Sequence, residues 1–217
     1  MVLLKIDNRK IEVEAGTNLL KVCLEHDIYV PNLCYIEGMK HPPASCRLCF
    51  VEVEGREKPV PACSVEAVSE MVVTTDTPRV RRLQKSALKL LLSVHRADCK
   101  NCPANKKCVL QDLARFLKVG LKPKGLELFL KETDVEPGHP LIAYDPNRCV
   151  LCGKCVYVCR HHQDRTVLTF AKRGFNTLIG FFGNEESEAL SCDACRACIE
   201  ACPVAALILK SPNRILS

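Results

Sequence analysis

Cysteine dominates the chemistry open to this chain, with 16 among its 217 residues. Cys149, Cys152, Cys155 and Cys159 fall as C-x2-C-x2-C-x3-C, and Cys192, Cys195, Cys198 and Cys202 repeat that spacing, followed by Pro203. Three thiolates at such short intervals wrap one corner of a metal cluster, and the fourth ligand must come from a distant segment. Each run carries one cysteine beyond its own corner, so the two runs complete each other. That assigns Cys149, Cys152, Cys155 and Cys202 to one 4Fe–4S cluster, and Cys159, Cys192, Cys195 and Cys198 to a second. Zinc sites also use C-x2-C, but as two pairs and not as two runs of four. A disulfide scaffold needs an export route, and the N-terminal residues Met1 to Asp7 bring in charge after four residues with no apolar signal core. The expected compartment is therefore the reducing cytoplasm, where dense cysteine means metal.

The two runs together are the bacterial ferredoxin signature. The N-terminal half has another pattern. Cys34, Cys46, Cys49 and Cys63 read C-x11-C-x2-C-x13-C, four ligands that fit one 2Fe–2S cluster with a longer first gap than the plant ferredoxin spacing. The elements that must hold them begin with alternation over residues 2–7, a turn at Asp7-Asn8-Arg9 and a second strand over Lys10 to Ala15. Gly16-Thr17-Asn18 offers a cap for a helix with Leu19, Leu20, Cys23 and Leu24 on one face. Two strands, a helix and an extended Ile28–Cys34 suggest a small β-grasp module. Cys23 reads as a buried core thiol and not as a ligand.

After Pro78, residues 79–94 place Val80, Leu83, Ala87, Leu90, Leu91 and Val94 at helical spacing. The helix leads into His95, Cys99, Cys102 and Cys108, spaced H-x3-C-x2-C-x5-C. Three cysteines short of a fourth ligand make His95 the donor that completes a third 4Fe–4S cluster. By charge alone, an imidazole in place of a thiolate raises that cluster's potential.

This order of sites resembles the N-terminal part of the large iron–sulfur subunit of respiratory complex I. It is equally similar to the accessory domains of iron-only hydrogenases and to the small diaphorase subunit of NAD-linked hydrogenases. The resemblance rests on Pro43-Ala-Ser-Cys46-Arg-Leu-Cys49, on Leu90-Leu-Leu-Ser-Val-His95 with its three cysteines, and on Asn147-Arg-Cys149-Val-Leu-Cys152-Gly-Lys-Cys155. Departures are Lys89, where relatives carry an acid, and Arg96, where a proline is common. The resemblance implies a relay subunit of a hetero-oligomer, between a flavoprotein that oxidises NAD(P)H and a hydrogenase or formate dehydrogenase module. A free-standing polyferredoxin-type carrier is the alternative.

No G-x-G-x-x-G or phosphate loop is present, and no cysteine follows Cys202, so the expectation is electron transfer with no bond-making active site in this chain. The formal charge of +6 is offset by clusters that together bring about −7, which removes the case for nucleic acid. No apolar run is long enough to enter a membrane. The expected class is α+β in three modules: a β-grasp 2Fe–2S domain over residues 1–78, a helical histidine-ligated domain over 79–121, and a 2×4Fe–4S ferredoxin-like domain over 138–217. Pro/Gly joints fall at Leu121–Gly125 and at Val135–Pro140, and a hairpin is expected from Thr166–Ala171 through Lys172-Arg-Gly174 to Phe175–Phe182.

Overall fold

The computed structural model describes residues 1–132, 139–162, 167–182, 192 and 195–210. Most of the second Pro/Gly joint and Thr166 of the expected hairpin lie outside the described residues. By its internal contacts the chain forms two compact units, Met1–Leu90 with Leu113–Gly120, and Leu91–Asp112 with Leu121–Ser217. Residues of the 79–121 segment thus fall in both.

In the first unit, β1 (Val2–Ile6) and β2 (Arg9–Val13) form an antiparallel hairpin whose two-residue turn puts Asp7 at φ 52. Both strands alternate, with Leu4, Ile6, Ile11 and Val13 buried and charged residues outside. The sheet is completed by β3 (Phe50–Val53), β4 (Val60–Pro61) and β5 (Val72–Thr74), in the order β2-β1-β5-β3-β4. β5 runs parallel to β1 and antiparallel to β3, so Val73 pairs with both Ile6 and Val53 at the buried centre. The Asp7 carboxylate accepts from the Thr75 backbone N–H and hydroxyl, both at 2.8 Å, tying the turn to the end of β5.

Across the sheet lies α1 (Leu19–Glu25), with Leu19, Leu20, Val22 and Cys23 buried. Leu24, expected on the inner face, is 36% exposed, and Val22 takes its place. Asn18 caps this helix: its Oδ1 accepts from the backbone N–H of Leu20 and Lys21. Its Nδ2 donates to the Cys63 carbonyl at 2.7 Å, so one side chain starts the helix and pins a thiol-bearing residue. Asn18→Ala is expected to lower stability by about 1–2 kcal/mol, read as a drop in Tm, with Asn18→Ser restoring only the cap.

α2 (Pro78–Ser93) is the expected helix, but its buried stripe is Val80, Gln84, Ala87, Leu88 and Leu92, while Leu90 is 63% exposed. The phase is turned because Gln84 lies inward, where its Nε2 donates to the Phe50 carbonyl. α3 (Val109–Leu117) buries Leu110, Leu113, Ala114 and Leu117, the i, i+3, i+4, i+7 stripe of an amphipathic helix.

In the second unit, β6 (Ile142–Tyr144) pairs antiparallel with β9 (Leu207–Leu209), and β7 (Leu168–Ala171) with β8 (Leu178–Phe181). β7 and β8 form the expected hairpin. Two short helices, α4 (Lys154–His162) and α5 (Ala197–Glu200), complete a pseudo-repeated arrangement of strand, cysteine run and helix. No helix among the described residues is long and apolar enough to cross a membrane.

Candidate functional site

All 16 cysteines are free thiols. Cys23 is fully buried in the β-grasp core, and burial pushes its thiol up to about 12, so it stays protonated and inert.

Cys34, Cys46, Cys49 and Cys63 are each no more than 4% exposed. Cys34 and Cys46 stand with their Sγ atoms 3.4 Å apart. The Cys46 thiol, held protonated, draws Cys34 down to about 5, and Cys49 likewise lowers Cys63 by hydrogen bonding while its own thiol is pushed up. Two buried thiol–thiolate pairs have the chemistry to suit a polycation that takes all four as thiolates. Left-handed backbone at Ala44 (φ 49) and Arg47 (φ 53) winds the loop on either side of Cys46.

The ferredoxin-like part contains two apolar cavities. One, about 330 Å3 with its mouth included, is lined by Cys149, Cys152, Cys155 and Cys202 together with Tyr144 and Ile179. The other, about 350 Å3 on the same measure, is lined by Cys159, Cys192, Cys195 and Cys198 together with Leu168 and Phe181. Each cavity thus takes three thiols from one run and one from the other. α4 bears Cys155 for one and Cys159 for the other, while Cys198 on α5 and Cys202 just beyond it serve the two in reverse. Among the described residues no three His, Cys, Asp or Glu side chains converge as they would on a single ion. Four thiols held apart round one apolar space suit a cluster of several atoms.

Burial is the main reason the Cys149, Cys152, Cys155 and Cys198 thiols are all raised, Cys152 and Cys198 to about 12. Bare thiolates are therefore disfavoured there, and only a bound cation makes four of them stable in one apolar hole. The protein supplies donors to the sulfurs: Leu151 N–H to Cys149, Ala206 N–H to Cys202 at 3.2 Å, and the Tyr144 hydroxyl to Cys149. Such N–H and O–H bonds to sulfur are a known means of tuning an iron–sulfur site.

The loop round the first cavity turns on two left-handed residues, Leu151 (φ 51) and Gly153 (φ 79). Arg196, which follows Cys195 as Gly153 follows Cys152, is left-handed too (φ 48). A Cβ on Gly153 would meet the Phe170 ring at 3.4 Å. Gly153→Ala is expected to cost about 1–2 kcal/mol of backbone strain and to lower the iron content of the purified chain, measured beside the wild type.

Cys99 opens a 3-10 turn, Cys99–Asn101, and Cys102 follows it; both are partly exposed. Cys108 is buried at the start of α3, where its carbonyl accepts from the Gln111 and Asp112 N–H groups. Its thiol is raised by burial first, then by the neighbouring Cys102 and Cys99. His95 is buried and lines a groove with Leu121, Leu126 and Leu128. Its Nδ1 lies 2.8 Å from the Arg148 carbonyl. A carbonyl only accepts, so Nδ1 bears the proton and Nε2 keeps a free lone pair, the form a metal-binding imidazole takes. Burial is the largest cause holding this imidazole below its ordinary pKa, which also favours the neutral ligand.

Tyr144, the Arg148 carbonyl and the bond from Asn18 to Cys63 have no spacing signal in the sequence, since each joins partners 5 to 53 residues apart. A Gly after the second cysteine of a run is the one visible hint of the tight loop.

Three family models match in sequence: a 2Fe–2S iron–sulfur cluster binding domain over residues 1–78, the NADH-ubiquinone oxidoreductase-G iron–sulfur binding region over 84–121, and the ferredoxin-like domain of NADH-quinone oxidoreductase subunit 3 over 139–208. The chain carries the 2Fe–2S and 4Fe–4S domains of the G-type NADH-quinone oxidoreductase subunits. Among relatives of these G-type domains, a G-type NADH-quinone oxidoreductase protein of Rhizobium meliloti is 34% identical over 96% of the chain, which covers 24% of that protein. NADP-reducing hydrogenase subunit HndD of Solidesulfovibrio fructosivorans is 32% identical over 96% of the chain, which covers 36% of it. The chain thus spans about a quarter to a third of these relatives. A crystal structure of an NAD+-reducing NiFe-hydrogenase in the H2-reduced state superposes with a TM-score of 0.80 at 27% identity, covering 100% of this chain and 90% of the other.

Proposed function

We propose that the chain is an electron-relay subunit, carrying electrons between a flavoprotein subunit that oxidises NAD(P)H and a hydrogenase or formate dehydrogenase module. The observation that carries this reading is the pair of apolar cavities, each lined by four free thiols drawn crosswise from two cysteine runs. The NAD(P)-linked hydrogenases among the similar proteins support the choice of partners, and favour a subunit over a free-standing carrier.

On this reading the ligands are Cys34, Cys46, Cys49 and Cys63 for a 2Fe–2S cluster, and His95, Cys99, Cys102 and Cys108 for a 4Fe–4S cluster. Cys149, Cys152, Cys155 and Cys202 take a second 4Fe–4S cluster, and Cys159, Cys192, Cys195 and Cys198 a third. The segments 1–78, 79–121 and 138–217 are the three modules that hold them. When bound, the clusters supply reversible one-electron chemistry. The chain's own residues supply thiolates, exclude water from the two cavities, and hold the His95 proton on Nδ1. The working compartment is the cytoplasm.

Anaerobic purification from the native cell tests this. About 14 irons per chain, a 2Fe–2S EPR signal beside several cubane signals after dithionite, and co-purifying flavin are expected. About 10 irons, unchanged in His95→Ala, would remove the histidine site from the scheme.

A further inference from the structure

His95 and the segment that enters the first ferredoxin run are stitched together by more bonds than ligation requires. The His95 Nδ1–H donates to the Arg148 carbonyl at 2.8 Å, and that carbonyl belongs to the peptide bond that leads directly into Cys149. The Arg96 N–H donates to the Asn147 carbonyl at 2.6 Å. The Arg96 guanidinium pairs with Asp145 at 2.6 Å, and Asp145 also accepts from the Asn147 N–H at 2.9 Å. Asn147, 3% exposed, is held from the other side by donating to and accepting from the Lys131 backbone.

We propose that the hydrogen bond from His95 to the Arg148 carbonyl is the electron route between the histidine-held site and the Cys149 site, and that Arg96 and Asp145 are the positioning residues that keep it short. This rests on the reading of His95 and Cys149 as ligands. From Nε2 the path crosses the imidazole, one hydrogen bond and the Arg148–Cys149 peptide to reach the Cys149 thiolate. A competing link joins the same two ligand sets: the Val109 N–H, next to Cys108, donates to the Pro203 carbonyl, next to Cys202, at 3.2 Å. It is longer in its hydrogen bond and passes through more covalent bonds, so it couples more weakly. Clusters held by the two ligand sets would supply the one-electron chemistry, one being oxidised as the other is reduced, and the chain's own part is to hold the His95–Arg148 bond between them. No bond is made or broken and the Nδ1 proton stays in place, so the step runs in either direction.

The test uses the cluster-replete full-length chain and follows electron equilibration between the two cubanes after photoreduction, with iron content, both midpoint potentials and their EPR spin–spin interaction. Arg96→Ala and Asp145→Asn leave every ligand in place. Each is expected to keep the wild-type iron count and to slow equilibration roughly tenfold, the scale on which a small loss of positioning registers. Arg96→Lys, which can still reach Asp145, is expected to recover most of the rate. His95→Cys, with its cluster retained, is expected to weaken the spin–spin interaction as well. Full iron with wild-type rates and interaction in His95→Cys, or in both clamp variants, would overturn the route and leave Val109–Pro203 as the carrier. A wild-type chain with no cubane at His95 would overturn the ligand reading, and the route with it.

Discussion

Removal of iron by an anaerobic chelator is expected to unfold the ferredoxin-like part of this chain while the β-grasp sheet survives. The secondary structure described over residues 139–210 amounts to two pairs of three- and four-residue strands and two short helices, wrapped round two thiol-lined cavities. A hydrophobic core in a segment of that size rarely supplies more than about 3–5 kcal/mol. Here the centre of each half is the cavity itself, so the free energy of cluster binding is folding free energy, and it leaves with the iron. The first unit differs in having a continuous apolar core that runs from Leu4 through Val73. Hydrogen exchange followed by mass spectrometry reads both parts at once. Protection lost over residues 139–210 and kept over β1, β2 and β5 is the expected pattern; unchanged protection over 139–210 would sink the argument.

The second large effect concerns which thiol serves which cavity. Cys202→Ala is expected to abolish the cubane beside Cys149, Cys152 and Cys155, and Cys159→Ala the one beside Cys192, Cys195 and Cys198, with about four irons lost each time. The reason is topological: each of these cysteines lines the cavity of the other run. The EPR spectra of the two variants should therefore be complementary, each retaining the cubane the other lacks. If Cys202→Ala erased the signal tied to Cys198, ligation would run within each sequence run, and the crosswise reading would fail.

The crosswise lining of the two cavities was legible in the sequence because the cysteines come at short, fixed intervals. The C-x2-C-x2-C-x3-C runs state their own pairing, and strand alternation over Val2–Ile6 and the Asn18 cap are local signals that the fold preserves. Local rules failed where long-range contacts decide. Gln84 sits inside the stripe of α2 because the Phe50 carbonyl, 34 residues earlier, receives its amide, and no periodicity count treats a glutamine as core. β3 and β5 carried no separate signal, since three- and four-residue strands gain their identity from pairing within the sheet. Arg96 stood out only as a residue where relatives have proline. Its value became visible with Asp145, 49 positions away.

The exchange of thiols between the two runs has a consequence for how the finished protein comes into being. α4 presents Cys155 to one cavity and Cys159 to the other, so ordering that helix around the first inorganic core to arrive also sets a ligand for the next. α5 and the turn after it do the same in the opposite sense. On the proposed ligand sets, maturation of this part is cooperative, with a slow first insertion and a fast second. Molecules from an iron-starved cell would sort into empty and full populations, with few carrying a single cubane between the two runs.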